Sequence, residues 1–257
     1  MNYDVNPFTA ALASGKKQIG LWVSLGSNFA AEIVAPAGFD WALIDMEHAP
    51  NDVQSVLAQL QVFANSSTTA IVRPDWNDPV MVKRLLDIGA QGLLFPMVQS
   101  VEEAKAAIAA TRYPPRGIRG VSTSTRANAF GRTTDYFDRV EDEMTVIVQV
   151  ETQAAIAQAE EIAAVDGVSG VFFGPADIGA DMGLLGQPMA PEVWELIRPV
   201  SRRLAGKGVA VGTLVSDLDF ATELLNAEFT FVACATDAGL LARAADNAVA
   251  TIRGALD

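Results

Sequence analysis

One alternation constrains this chain more than any other feature. Eight short apolar runs are separated by longer stretches whose apolar residues recur at helical spacing. The runs cover residues 18–25, 41–46, 69–73, 92–97, 145–150, 168–173, 208–214 and 230–234. Several are continuously apolar, as expected of parallel strands covered on both faces. Helical patterns are expected over 53–63, 79–88, 101–111, 152–164, 191–205 and 218–226, with a final apolar-faced helix over about 238–255. The pairs Ala37-Gly38 and Gly89-Ala90 supply glycines that close helices before the next strand. Eight such units in 257 residues are the size of a (β/α)8 TIM barrel, here a single domain over residues 1–257. A doubly wound open sheet competes, but "SLGSNFAAE" after the first run is not a dinucleotide-binding glycine fingerprint.

Charge narrows the function. With 18 basic and 31 acidic residues the net charge is −13, which argues against nucleic-acid partners and anionic membrane surfaces. No apolar stretch is long enough to span a bilayer. The opening "MNYDVNPFTA" lacks the basic start and apolar run of a signal peptide. The single cysteine, Cys234, precludes an internal disulfide, and a cytoplasmic protein is expected. One segment departs from the acidic trend. Residues 112–132 carry five arginines and no acid. They either pair with acids elsewhere or give a positive field for small carboxylates.

In a barrel of this kind, catalytic residues sit at the C-terminal ends of strands. Asp45, Glu47 and His48 stand at the end of the second run, Arg73 at the end of the third, Gln149 and Glu151 at the fifth, and Asp177 just after the sixth. Buried unpaired charges there would be costly, so a structural core has no use for them. Glu151 and Asp177 fall on neighbouring strands and suit a hard divalent cation such as Mg²⁺ or Mn²⁺. Their structural alternatives are a first-turn acid and an N-cap. His48 is the only histidine, so a three-histidine zinc site is excluded. Its near-neutral titration suits proton transfer, though a lone histidine more often has a structural role. Arg73 offers a planar fork of donors to a developing oxyanion. The amides of Ala176 and Asp177 in "GPAD" should open a helix and can hold a carboxylate. No lysine ends a strand, so Schiff-base chemistry has no candidate.

The motifs "GLWVSL", "GFDWALIDMEHAPND", "RPDWNDPVMVKRLLDIGAQGLLFPMV", "RYPPRGIRGV", "VQVET" and "GVFFGPADI" together resemble the HpcH/HpaI aldolases, the metal-dependent pyruvate aldolases, to about residue 190. The resemblance implies His48 as proton acceptor, Arg73 as transition-state stabiliser and Glu151 with Asp177 as ligands of a divalent metal (Mg²⁺ or Mn²⁺, with Co²⁺ a further option). It implies that Gln149 and the Ala176 amide contact pyruvate, that Asp87 raises the basicity of the histidine, and that Asp45 and Glu47 belong to the surrounding acid shell. It also implies exchange of the C-terminal helix between subunits of a homo-hexamer, a trimer of dimers. Asp87 sits late in a helix, where an acid opposes the dipole, so a compensating partner or a shorter helix is expected.

The expected reaction is class II aldol chemistry: reversible cleavage of a 4-hydroxy-2-oxo acid to pyruvate, or an analogue such as hydroxypyruvate, and an aldehyde. Oxaloacetate decarboxylation through the same enolate, a CoA-thioester lyase and a non-catalytic carboxylate binder are the alternatives. Residues 112–132 and the "GTLVSD" stretch near Thr213 and Leu214 are candidates to touch the aldehyde.

Overall fold

A strand sends successive side chains to opposite faces, and residues 41–45 show what that does here. Trp41 and Leu43 belong to one buried cluster, while Ala42 and Ile44 belong to another. The computed structural model describes residues 6–256. Residues 1–5 and 257, into which the signal-peptide reading and the ends of the 1–257 domain extend, lie outside the described residues.

The strands are β1 (Gln18–Val23), β2 (Trp41–Asp45), β3 (Thr69–Arg73), β4 (Gly92–Phe95), β5 (Thr145–Val150), β6 (Gly170–Phe173), β7 (Ala210–Leu214) and β8 (Phe231–Thr236). All pair in parallel, and β8 closes on β1 to complete the barrel. The helices are α1 (Pro7–Ser14), α2 (Asn28–Val34), α3 (Val53–Phe63), α4 (Pro79–Asp87), α5 (Val101–Thr111), α6 (Tyr136–Arg139), α7 (Gln153–Ala157), α8 (Ala159–Ala163), α9 (Pro175–Asp181), α10 (Pro191–Gly206), α11 (Leu218–Asn226) and α12 (Asp237–Gly254). The expected (β/α)8 barrel is therefore the fold. No helix among the described residues is long and apolar enough to cross a membrane.

One apolar cluster fills the barrel and holds Trp22, Trp41, Leu43, Ile71, Phe172 and Phe231. The other lies between the strands and the helices. Large and small residues alternate inside: a Cβ added at Gly20 would overlap the Trp41 indole, and one at Gly212 would overlap Phe231. The floor, at the strand N-termini, is closed by α1. Phe8 from that helix stacks at 5.5 Å from Trp41 and 5.8 Å from Phe231.

Several expected boundaries shift for local reasons. β1 stops at Val23 because the next two amides, of Ser24 and Leu25, go to the Asp237 carboxylate instead. β4 stops at Phe95, since Pro96 has no N–H to donate and Met97 turns left-handed at φ 51°. The helix expected over 152–164 is two, α7 and α8, broken at Gln158 with φ −104° and ψ 4°. Neither α1 nor α2 was expected, although Asn6 and Ser27 cap their first turns with side-chain oxygens. Of the described residues in α12, Asp237 alone is buried.

Candidate active site

The interior-facing alternation that builds the barrel also positions its polar residues. In β2 the series Trp41, Leu43 is continued by Asp45, and in β3 Ile71 is followed by Arg73. Asp45 and Arg73 are register partners across the β2–β3 ladder. Arg73 Nε donates to Asp45 Oδ1 and Nη2 to Oδ2, both at 2.8 Å. This bidentate pair is buried, and the indole of Trp22 closes over it. Trp22 Nε1 donates to Asp45 Oδ2 at 3.2 Å, and the Arg73 guanidinium lies 4.8 Å from the Trp22 ring centroid. Burial works against the Asp45 charge, but the Arg73 bonds and charge, with Trp22 and the Glu47 amide, outweigh it and hold the carboxyl below its ordinary range. Glu47 Oε2 stands 2.7 Å from Arg73 Nη1 as an ion pair without hydrogen-bond alignment. Its carboxyl is pushed up by burial, with Asp45 and Asp177 adding to the rise against Arg73 and His48.

The second group sits at the ends of β5 and β6. Ile147 faces the interior, so Gln149 and then Glu151 continue that face to the mouth. Both are buried, at 3% and 2% exposure. Gln149 Nε2 donates to Glu151 Oε1, and the Met97 amide donates to Glu151 Oε2 at 2.7 Å. Burial, opposed by the Met97 bond and aided by the negative Asp177 and Glu47, pushes the Glu151 carboxyl up to about 8. The Gln149 side-chain oxygen is buried with no hydrogen-bond partner. Asp177 and Ala176, exposed to the cleft, lie in the first turn of α9, where amides have no acceptor within the helix. Asp177 does not cap α9, because the N-cap position belongs to Gly174.

These donors fit a hard divalent cation. Among the described residues no group of three or more His, Cys, Asp or Glu side chains is arranged to hold a metal ion, so the protein forms no complete cage. Two carboxylates, one carrying a burial-raised proton affinity, and an orphaned amide oxygen leave room for water and substrate oxygens in an octahedron. His48 follows on the turn after β2. Its side chain is 68% exposed, and its Nε2 is 3.8 Å from Glu47 Oε2. One cleft of about 350 Å³ is lined by His48, Arg73, Gln149, Ala176 and Asp177 together, a volume within the ~300–1,000 Å³ range of small-molecule sites.

Not every sequence candidate arrives there. Asp87 ends α4, and Gly89 at φ 97° turns the chain back into the start of β4. That places Asp87 at the strand N-terminal face, the length of the barrel away from His48 in the same chain. Its carboxylate instead accepts from Arg119 Nη2 at 3.0 Å. Arg119 is the compensating partner that an acid at a helix C-terminus needs. The other arginines of 112–132 follow suit: Arg112 and Arg116 pair with Asp166 and Glu141, and Arg126 donates to the Ile88 carbonyl at 2.6 Å. None of them lines the cleft, so within this chain they do not make the aldehyde contact expected of the segment. Thr213 is buried and donates to the Phe173 carbonyl at 3.0 Å, whereas Leu214 does line the cleft. Cys234 is only partly buried.

Three contributors were missed. Trp22 gave no sign beyond an aromatic in an apolar run. Met97 stores backbone strain at φ 51° while aiming its amide at Glu151. Gly174 lets Glu151 and Gln149 approach, since a Cβ there would lie 2.8 Å from Glu151 Oε1; the glycine in "FFGPAD" was the available signal.

Residues 18–244 match the family model described as HpcH/HpaI aldolase/citrate lyase. A 4-hydroxy-2-oxo-heptane-1,7-dioate aldolase of Escherichia coli is 50% identical over 242 residues, which are 94% of this chain and 92% of that protein. The crystal structure of an HpcH/HpaI aldolase/citrate lyase family protein from Burkholderia cenocepacia J2315 superposes with a TM-score of 0.93 at 38% identity, over 97% of this chain and all of that one. An HpcH/HpaI aldolase from Desulfitobacterium hafniense DCB-2 gives 0.87 at 29% identity, over 95% of each chain. With a family match over most of its length and a half-identical relative along nearly all of it, the chain belongs to the HpcH/HpaI aldolase/citrate lyase family.

Proposed function

We propose that this chain is a class II aldolase that reversibly cleaves 4-hydroxy-2-oxo acids to pyruvate, or an analogue such as hydroxypyruvate, and an aldehyde. The observation that carries the reading is buried Glu151 within reach of Asp177, beside the orphaned Gln149 oxygen, with Gln149 and Asp177 lining the same cleft as Arg73 and His48. A divalent cation such as Mg²⁺ or Mn²⁺ on the two carboxylates would polarise the 2-oxo group and make the adjacent C3 protons more acidic.

The protein groups supply the rest. The Ala176 and Asp177 amides receive the substrate carboxylate, with Gln149 beside them. His48, free at the cleft surface, takes the proton from the C4 hydroxyl. The C3–C4 bond then breaks, its electrons form the enolate of the 2-oxo acid, and the aldehyde leaves. Arg73 keeps a fixed positive charge beside the enolate oxygen, since Asp45 clamps its guanidinium in one orientation. His48, now carrying that proton, delivers it to C3 of the enolate and completes the cycle.

The assay is retro-aldol cleavage with and without rigorous chelation, alongside hydrogen–deuterium exchange at pyruvate C3. Cleavage lost on chelation and restored by Mg²⁺ or Mn²⁺ supports the reading, and full activity in the chelated protein sinks it.

The partner proposed for assembly is a second copy of the chain. Leu240, Leu241, Val249 and Ile252 of α12 are exposed, and so are Phe29 and Ile33 of α2, flanking the β8–β1 closure. Exchange of α12 between copies, within a hexamer, would cover both faces. Light scattering of the wild type and of Val249→Asp/Ile252→Asp tests it; an unchanged mass in the double variant counts against exchange. The single cysteine supports a cytoplasmic location.

A further inference from the structure

The barrel interior is stacked in layers, and near the mouth its apolar packing meets the buried Asp45–Arg73 pair. On β1, Gly20 has no side chain, which leaves room for the Trp41 indole. Two residues further on, Trp22 faces the same interior, one layer closer to the mouth. Its register partner on β2 is Leu43. The indole reaches Asp45 on β2, Arg73 on β3 and Phe172 on β6, whose ring centroid lies 5.6 Å away. It also lines the cleft. Trp22 is only 5% exposed, and each of these contacts lies within one chain, so assembly with further copies leaves them in place.

A buried indole N–H normally finds some acceptor. Here the acceptor is the carboxylate that clamps Arg73. Asp45 Oδ1 accepts from Arg73 Nε at 2.8 Å and from the Glu47 amide at 3.0 Å. Asp45 Oδ2 accepts from Arg73 Nη2 at 2.8 Å and from Trp22 Nε1 at 3.2 Å. Each oxygen thus has one bond to the guanidinium and one to the surrounding frame. The Glu47 amide belongs to the turn after β2, and Trp22 belongs to β1. Without the indole bond the frame holds Oδ1 alone. The terminal torsion of an aspartate is soft, so the carboxylate can then turn and carry the guanidinium with it. A displaced guanidinium holds a developing oxyanion less well, because preorganised charge acts only from the right position.

Resting on the aldolase reading, with Arg73 beside the enolate oxygen, we infer that Trp22 is a positioning residue. Its indole N–H fixes Asp45, and through Asp45 the Arg73 guanidinium. The test is hydrogen–deuterium exchange at pyruvate C3 by the Mg²⁺-supplemented enzyme, on protein shown to be folded by circular dichroism. Trp22→Phe keeps an aromatic ring and removes the donor. It should lower the maximal exchange rate at least about fivefold, and a smaller loss overturns the inference. The KM for pyruvate should stay within about threefold, because the Ala176 and Asp177 amides receive the carboxylate. A larger rise would make Trp22 a substrate contact and overturns the positioning role. In an Asp45→Asn background the same substitution should cost less than about twofold, since the two act as one unit. An undiminished loss there means that the ring acts by another route and overturns the inference. Replacing the Trp22 indole by benzothiophene keeps the shape and removes only the N–H, so it decides the matter if the Phe variant does not fold. It should reproduce the fivefold loss, and an unchanged rate overturns the role. A wild type with no exchange sinks the aldolase reading itself. Exchange in the wild type that survives these substitutions spares that reading and sinks the role of Trp22.

Discussion

The two ends of the barrel treat buried polar groups in opposite ways. At the floor Asn6 is fully buried and fully used. Its amide nitrogen donates to the carbonyls of Gln91 and Glu143 and to Thr145 Oγ1, and its oxygen accepts from the amides of Phe8 and Thr9. At the mouth Gln149 and Glu151 are as deeply buried, yet one keeps an oxygen without a partner and the other is pushed up to about 8. Burial is the same, and satisfaction is not. A polar group buried without its partner costs roughly 1–3 kcal/mol, so the floor adds to stability while the mouth draws on it. On the proposed reading, the difference separates residues that hold the barrel from residues that await a ligand.

Glu151→Gln probes that division with the largest effect. Retro-aldol kcat/KM is expected to fall about 10³-fold, as several kcal/mol of metal-assisted stabilisation are lost. The melting temperature should stay level or rise, because an unfavourably buried carboxylate has been removed. A melting temperature that drops with the activity would place Glu151 among the structural residues and break the comparison.

The same carboxyl predicts a pH dependence for the metal-stripped protein. Its folded value of about 8 lies above its ordinary 4.5, so the folded chain binds this proton more tightly than the unfolded chain. The stability it contributes is complete below about 4.5 and is lost as pH rises through 8. Urea midpoints of the stripped wild type should fall across that window, and Glu151→Gln should flatten the decline. A wild-type midpoint that climbs over the same range would contradict the assigned direction.

His48→Ala comes next. Loss of a general base should reduce kcat and C3 exchange about 10²-fold. Its side chain is mostly exposed and has a single acid, Glu47, at 3.8 Å, so stability should move by less than about 0.5 kcal/mol. Retention of exchange in this variant would hand proton transfer to another group at the mouth.

Much of the mouth was legible in the sequence because of how it is built. β3 is an apolar run that ends at Arg73, β5 carries Gln149 one residue before its end, and period-2 alternation brings Ile71 to Arg73 and Ile147 to Gln149 on one face. What escaped was geometry that residue types do not encode. Nothing in "FPMV" marks Met97 as left-handed, and nothing in "GLWV" says that the Trp22 indole will close over Asp45. Asp87 lies apart from the mouth of its own chain for another reason. A motif places it near the active residues in the chain, but a helix of nine residues carries it to the other end of the barrel, where Arg119 meets it. The floor was the least legible part. α1 is short, and its contacts with Gln91, Glu143 and Thr145 span 85 to 139 residues of sequence.

That long-range floor gives the smallest effect and the cleanest contrast. Asn6→Ala strips the cap from α1, removes the side-chain acceptor of the Phe8 and Thr9 amides and the Asn6 donor to the Glu143 carbonyl, and leaves the Gln91 carbonyl with the Thr145 amide alone. The barrel should lose about 2 kcal/mol by chemical denaturation. Water can re-enter at the opened floor, which limits the loss. The mouth lies at the other end of the strands, joined to the floor by the Trp41, Leu43, Ile71 and Phe172 layers, and these layers keep their packing when α1 frays. The retro-aldol kcat/KM should therefore remain within about twofold of wild type under conditions where the variant is folded. A tenfold loss of activity with the denaturation midpoint preserved would mean that the floor positions the mouth residues, and the two ends would have to be treated as one device.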